Sequence, residues 1–144
     1  MEQRISLITL AVADLDRSRA FYEALGWQAL DSPPGLEAFD LIGQTLGLYP
    51  RDKMVEETTL PPAPLDGQFS GVVLSHNLAS RADVAPLLDR ARAAGARVLK
   101  EAQDTFWGGH HGHFADPDGH VWEIAHNPFS ALGPNGEFQW GGVQ

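Results

Sequence analysis

The pattern of apolar and polar positions in the first half of the chain predicts a strand, then a helix, then further strands. Residues 5–12 are almost continuously aliphatic, which predicts a buried strand. Asp14 is placed to cap a following helix, and Gly26 to end it. The apolar stripe of that helix comprises Leu15, Ser18, Phe21, Tyr22 and Leu25. Shorter apolar runs predict three further strands, over residues 27–32, 36–42 and 45–49.

The second half repeats this order. Residues 69–76 predict a strand, and a second helical stripe ends at Gly95. Pro86 lies inside that stripe, so we expect the helix to begin late, near Asp83, or to bend at the proline. The stripe comprises Val84, Leu87, Leu88 and Ala91, and three strands are predicted after it, over residues 97–102, 109–115 and 120–126.

The two halves form an internal repeat. LAVADL at residues 10–15 and VLSHNL at residues 73–78 hold the same position before a helix that ends in glycine. Such a unit packs on a copy of itself, because it cannot bury its own sheet. We therefore predict an α+β fold of two βαβββ repeats, whose sheets form a curved, cup-shaped mixed sheet with the helices outside. The single domain 1–144 divides into repeat 1 (about 4–50), a proline-rich exposed linker (about 51–68), repeat 2 (about 69–128) and a C-terminal tail (129–144).

The candidate chemistry lies around the turn Asp116-Pro117-Asp118-Gly119. Pro117 presets φ, and Gly119 accepts a positive φ, so the segment predicts a hairpin corner. Strand alternation then places His111 and His113 on one face of the preceding strand. Glu123 follows the turn between two apolar neighbours. Its carboxylate faces either solvent or a cavity, where it would act as a ligand, an acid or a base.

Composition narrows the range of functions. The absence of cysteine excludes disulfides and thiolate chemistry, so a metal would need His, Asp, Glu or water. The net charge of -9 argues against a nucleic-acid partner. The first apolar run is too short for a membrane span, and no cationic leader with a cleavage site precedes it. We expect a cytoplasmic protein with no membrane partner.

Two stretches resemble the vicinal oxygen chelate superfamily, which includes glyoxalase I, fosfomycin-resistance enzymes, bleomycin-resistance proteins and extradiol dioxygenases. They are LAVADLDRSRAFYEALGW (residues 10–27) and GHFADPDGHVWEI (residues 112–124). The resemblance implies metal ligands on the first and last strands of each repeat. It places one ligand at Glu123, but the other positions fall on Leu7, Gly47 and near Ser70, which cannot replace His, Gln or Glu. It therefore implies a member without the usual divalent metal site.

Two functions remain open. The first is a metal-free protein, like the bleomycin-resistance members, that binds a small organic ligand and needs no cofactor. The alternative is a metal-dependent lyase of the lactoylglutathione lyase type, or a dioxygenase, with a relocated site of His111, His113 and Glu123. Glu123 is expected to contact the ligand in either case, and it is the candidate catalytic residue if the protein is an enzyme. The predicted ligand-binding residues are Thr9, Tyr49, Trp107, His111 and His113.

Two of these assignments have an ordinary structural alternative. The histidines are also explained as hydrogen-bonding donors or half-exposed loop residues, and Trp107 as a core aromatic. We also expect a homodimer, because half-barrels of this kind leave sheet edges or an apolar tail for a second copy to cover.

Overall fold

The computed structural model describes residues 1–62 and 67–142, in two compact units that span residues 1–68 and 69–144. Within the described ranges, the units contain two open sheets, of three and four strands, and three α-helices, which confirms the predicted α+β class. The elements are β1 (Leu7–Val12), α1 (Leu15–Ala24), β2 (Glu37–Leu41), β3 (Gln44–Pro50), α2 (Arg51–Thr58), β4 (Val73–Asn77), a 3-10 turn (Arg81–Asp83), α3 (Val84–Ala94), β5 (Arg97–Asp104), β6 (His110–Ala115) and β7 (Val121–His126). None of the described helices combines the length and the apolar character needed to cross a membrane.

The first unit packs α1 against a sheet of order β1-β3-β2. Asp14 caps α1 as predicted, because its carboxylate accepts the backbone N–H of Arg17 at 3.0 Å. The helix ends just before Gly26, whose φ of 104° suits glycine. Buried side chains from both layers form the core: Leu10, Val12, Phe21, Tyr22, Phe39, Leu46 and Leu48. Each contributes about 2 kcal/mol by leaving water.

Two predictions for the first unit are wrong. Residues 27–32 do not form a strand, so this unit has three strands instead of four. The Leu30 N–H donates to the Ala38 carbonyl at 2.8 Å, but Pro33 and Pro34 follow and have no N–H with which to extend a ladder. Residues 51–58, predicted as part of an exposed linker without a packed element, form α2. Its lysine, methionine and glutamates favour a helix, although none of its residues is buried.

The second unit packs α3 against the sheet β4-β7-β6-β5. α3 begins at Val84, which confirms the predicted late start. Pro86 is then the third helical residue, where its missing N–H costs no intrahelical hydrogen bond. Gly95, with a φ of 111°, ends the helix as predicted. The core comprises Val84, Leu88, Ala91, Phe114, Trp122 and Ile124.

Gly112 shows which face of this sheet meets α3. A Cβ atom at Gly112 would lie 2.4 Å from Leu88 Cδ1, so the helix packs directly on the backbone of β6 at this point. Phe114 has the same orientation as Gly112, because side chains alternate along a strand. His111 and His113 therefore project from the opposite face of β6, away from α3.

Candidate functional site

The turn between β6 and β7 sets the register of the site. The Asp116 carboxylate accepts the backbone N–H groups of Asp118 and His120, each at 2.9 Å, and Gly119 has a φ of 91°. Asp116 is buried. The turn holds β6 and β7 so that His113 lies directly opposite Glu123. This confirms the predicted hairpin corner.

Three side chains converge on the sheet face opposite α3, and we call His111, His113 and Glu123 the cluster. His111 Nδ1 lies 2.7 Å from Glu123 Oε1, and His113 Nε2 lies 3.8 Å from the same oxygen. The two imidazole rings meet edge to face, with centroids 4.9 Å apart. All three side chains are half-buried, with 15% to 25% of their surface exposed. The predicted alternation is confirmed, since both histidines share this face.

Two further residues, which the sequence reasoning missed, contact the cluster. Ser75 lies opposite Glu123 in the β4–β7 pairing, and its hydroxyl donates to Glu123 Oε2 at 2.8 Å. Lys100 Nζ lies 3.3 Å from His111 Nε2. Ser75 is a polar residue within an apolar run, a pattern from which a functional side chain could have been predicted. Lys100 gave no such signal.

An irregularity in β5 explains why Lys100 reaches the cluster. Val98 lies opposite Phe114, and Lys100 lies opposite His113, so β5 contains one more residue than β6 between these pairs. Strict alternation from Val98 would direct Lys100 towards α3. The extra residue, Leu99, forms a β-bulge that returns Lys100 to the face of the histidines.

Hydrogen bonds and charges set the protonation of Glu123. Burial raises the pKa of Glu123, but the hydrogen bonds from His111 and Ser75, with the nearby histidine charges, outweigh burial. The pKa of Glu123 therefore lies below its ordinary value, and the carboxylate is ionised at neutral pH.

The pKa of His113, the second titratable group of the cluster with a shifted pKa, is lowered for a different reason. Burial lowers the pKa of His113, and His111 and Lys100 lower it further against the opposing effect of Glu123. The imidazole of His113 is therefore neutral at pH 7. It forms no hydrogen bond with any described residue, so its ring nitrogens are available to a ligand.

The remaining predicted ligand residues lie outside the cluster. Trp107 is at the tip of the β5–β6 hairpin, where its ring covers Gly109, because a Cβ atom there would lie 2.0 Å from Trp107 Cη2. Gly109 precedes β6 and, by alternation, continues the face of His111. Thr9 and Tyr49 belong to the first unit. Thr9 lies opposite Gly47, and the Tyr49 hydroxyl donates to Glu57 Oε1 at 2.7 Å.

The positions that the resemblance assigns to the other metal ligands are unsuited to a metal. A Cβ atom at Gly47 would lie 3.4 Å from Leu7 Cδ1, so these two positions meet as an apolar pair. Ser70 is exposed and precedes β4. None of the three offers an imidazole or a carboxylate.

The geometry of the cluster bears on whether it could be a relocated metal site. One donor atom from each member lies within 4.8 Å of the others, which a single ion can span. Both Glu123 oxygens already accept hydrogen bonds, however, and His111 has Glu123 at one nitrogen and the Lys100 ammonium at the other. A divalent ion would have to displace these partners and lie near a positive charge. The three donors are close enough to share one ion, but with the Lys100 ammonium beside His111 the cluster as hydrogen-bonded here is not a ready metal site.

Two helix-backed sheets of three and four strands, the second with a polar cluster on the face opposite α3, are consistent with a fold built from βαβββ modules. Residues 4–124 match the profile of the Glyoxalase/Bleomycin resistance protein/Dioxygenase superfamily, and the chain belongs to this superfamily.

Solved structures agree with this membership. A glyoxalase-related enzyme from Fulvimarina pelagi is 33% identical, with 96% of this chain and 98% of that chain covered and a TM-score of 0.86. A glyoxalase/bleomycin resistance protein/dioxygenase from Nocardioides is 26% identical, with coverages of 88% and 84% and a TM-score of 0.71. A lactoylglutathione lyase from Agrobacterium tumefaciens, 22% identical over 88% of this chain and 96% of that one, shares the fold with a TM-score of 0.65. No significant match was found among curated protein sequences.

Proposed function

We propose that the protein binds a small organic ligand at the cluster, without a divalent metal there. One observation carries this proposal: Glu123 is held from two sides by His111 and Ser75, while His113 beside it has no hydrogen-bond partner among the described residues. A half-buried, neutral imidazole next to an ionised carboxylate suits recognition of a polar group. Membership of the superfamily supports a small molecule as the ligand.

The two groups offer complementary hydrogen-bonding chemistry. A neutral imidazole both donates and accepts, whereas an ionised carboxylate only accepts. A ligand hydroxyl or amide N–H is therefore expected to donate to Glu123, while a second polar atom meets His113. Trp107 supplies an aromatic surface at the end of the same face. Thr9 and Tyr49 remain proposed ligand-binding residues of the first unit, where they lie on the sheet face opposite α1.

Isothermal titration calorimetry tests this function. The protein is first treated with a chelator to remove any metal, and the chelator is then removed. Three probes cover a thiol conjugate, a peptide-like drug and an aromatic: S-lactoylglutathione, bleomycin and catechol. We expect binding of at least one, and about tenfold weaker binding in Glu123→Gln, since a hydrogen bond to a charged group is lost.

Glu101→Gln is the matched control, because Glu101 lies in the same sheet but forms an exposed ion pair with Arg92. It should leave binding unchanged. Equal binding in Glu123→Gln and the wild type, with both folded, would show that the ligand site lies elsewhere.

A second candidate is a metal-dependent lyase or dioxygenase that uses His111, His113 and Glu123, with Glu123 in the catalytic role. The spacing of the three donor groups, within 4.8 Å, favours it. Elemental analysis of the purified protein distinguishes the two candidates. The metal-free proposal expects well under one equivalent of zinc, nickel, iron or manganese. One full equivalent that disappears in Glu123→Gln and His113→Ala would establish the metal-dependent candidate instead.

A further inference from the structure

We infer that Lys100 is the residue that keeps the cluster free of divalent metal, because its ammonium group disfavours the tautomer of His111 that a bound metal would require. This inference rests on the proposed metal-free function and assigns a residue as its cause. Lys100 acts through His111, so its role is one of positioning.

The hydrogen-bonded state of His111 follows from its two partners. Nδ1 lies 2.7 Å from Glu123 Oε1, and an ionised carboxylate only accepts, so Nδ1 carries the proton. Nε2 lies 3.3 Å from Lys100 Nζ, and an ammonium group only donates, so Nε2 presents its lone pair. Both partners require the same neutral tautomer, protonated on Nδ1.

A metal would reverse this arrangement. Nδ1 is the nitrogen that faces Glu123, so an ion shared by His111 and Glu123 would bind there. The proton of the neutral ring would then move to Nε2. Nε2 faces the ammonium group of Lys100, which has no lone pair and so cannot accept a hydrogen bond from the new N–H. Metal-bound histidines ordinarily donate this second N–H to a carboxylate, a backbone carbonyl or a water molecule. Lys100 offers the opposite.

The backbone of β5 determines on which face of the sheet the Lys100 side chain lies. The bulge at Leu99 places it opposite His113, on the side of the sheet that carries the cluster. Gln103 lies opposite His111 in the β5–β6 pairing. The charged or titratable groups that contact His111 in the described part of the chain are Glu123, His113 and Lys100, and Lys100 is the only lysine or arginine among them. Changing this one side chain to an acceptor should therefore convert the site.

The experiment measures zinc and nickel binding by calorimetry, with the metal ions alone as probes. The wild type and Lys100→Arg should bind weakly, whereas Lys100→Glu should bind about 10- to 100-fold more tightly at one site per chain. Adding His113→Ala to Lys100→Glu should abolish that gain. Lys53→Glu, an equal change of charge on α2, is the control for charge alone and should resemble the wild type.

The tautomer provides a second readout that needs no variant to fold. Long-range nitrogen–proton correlation spectra of the wild type should show the proton of His111 on Nδ1, facing Glu123, and none on Nε2. A proton on Nε2 would overturn the inference, as would a folded Lys100→Glu that binds metal no better than the wild type. Tight zinc binding by the wild type itself would overturn both this inference and the metal-free proposal. Failure of the organic probes to bind would affect the proposed function alone.

Discussion

His111 and His113 are two residues apart on the same face of β6, yet their surroundings give them different chemistry. His111 has a partner at each nitrogen, whereas the ring of His113 forms no hydrogen bond with a described residue. Alternation and the Asp116–Gly119 turn were enough to predict that the histidines and Glu123 meet. Ser75 was not predicted, because it is 48 residues from Glu123 and only the β4–β7 pairing joins them.

The two lowered pKa values predict that stability falls in acid. For His113 and Glu123 the folded pKa lies below the ordinary values of 6.5 and 4.5, so the unfolded chain takes up protons first as pH falls. The free energy of unfolding should therefore decrease from about pH 6.5 downwards, first through His113 and then, below about pH 4.5, through Glu123.

Urea unfolding at a series of pH values measures this effect. His113→Asn has no titrating ring, so its stability should change less than that of the wild type between about pH 6.5 and pH 5. Parallel curves for the two proteins over this interval would contradict the lowered pKa of His113.

At the scale of elements, the sequence predicts correctly the helices that have clear caps and apolar stripes, and it fails where these local features are weak or absent. Both long helices were predicted, with Asp14, Gly26 and Gly95 at their ends, because caps and apolar stripes are local properties. Residues 27–32 have the apolar character of a strand, but the following prolines stop the ladder. Residues 51–58 form a helix that buries no residue, so the sequence has no apolar stripe there from which the helix could be predicted.

The packing of α3 on β6 predicts a cost for any side chain at position 112. In Gly112→Ala the new Cβ would lie 2.4 Å from Leu88 Cδ1 and 2.8 Å from the Lys100 carbonyl oxygen. The side chain can move, but the backbone oxygen belongs to a paired strand. We expect a loss of about 1 to 3 kcal/mol in the free energy of unfolding.

Gly47→Ala is the matched control, because its nearest neighbour would be at 3.4 Å, an ordinary contact. Urea unfolding of both variants makes the comparison. Equal stabilities for Gly112→Ala and Gly47→Ala would show that α3 does not press on β6 as described.

At the scale of the whole molecule, each unit has its own buried core, and several large side chains remain exposed. Phe106, Phe129 and Trp140 of the second unit are 102%, 68% and 89% exposed. Apolar surface of this kind often marks an interface between proteins. The repeat was visible in the sequence, but the residues that a second chain would cover were not, because exposure depends on the completed fold.

We therefore keep the prediction of a homodimer. Light scattering at micromolar concentration should give twice the chain mass of 15.6 kDa. Trp140→Ser is expected to weaken the dimer if the C-terminal tail is covered in it, and Trp107→Ser, at the hairpin tip, serves as a comparison. A monomeric mass for the wild type would disprove the prediction.

The irregular pairing of β5 has a consequence for aggregation. β5 is the outer strand of its sheet, and it contains two more residues than β6 over the same stretch, one on each side of Lys100. A strand with an uneven backbone repeat is a poor template for another chain, since added strands need evenly spaced donors and acceptors. The bulge at Leu99, which directs Lys100 towards His111, should therefore also disfavour pairing of the β5 edge with a strand of another chain.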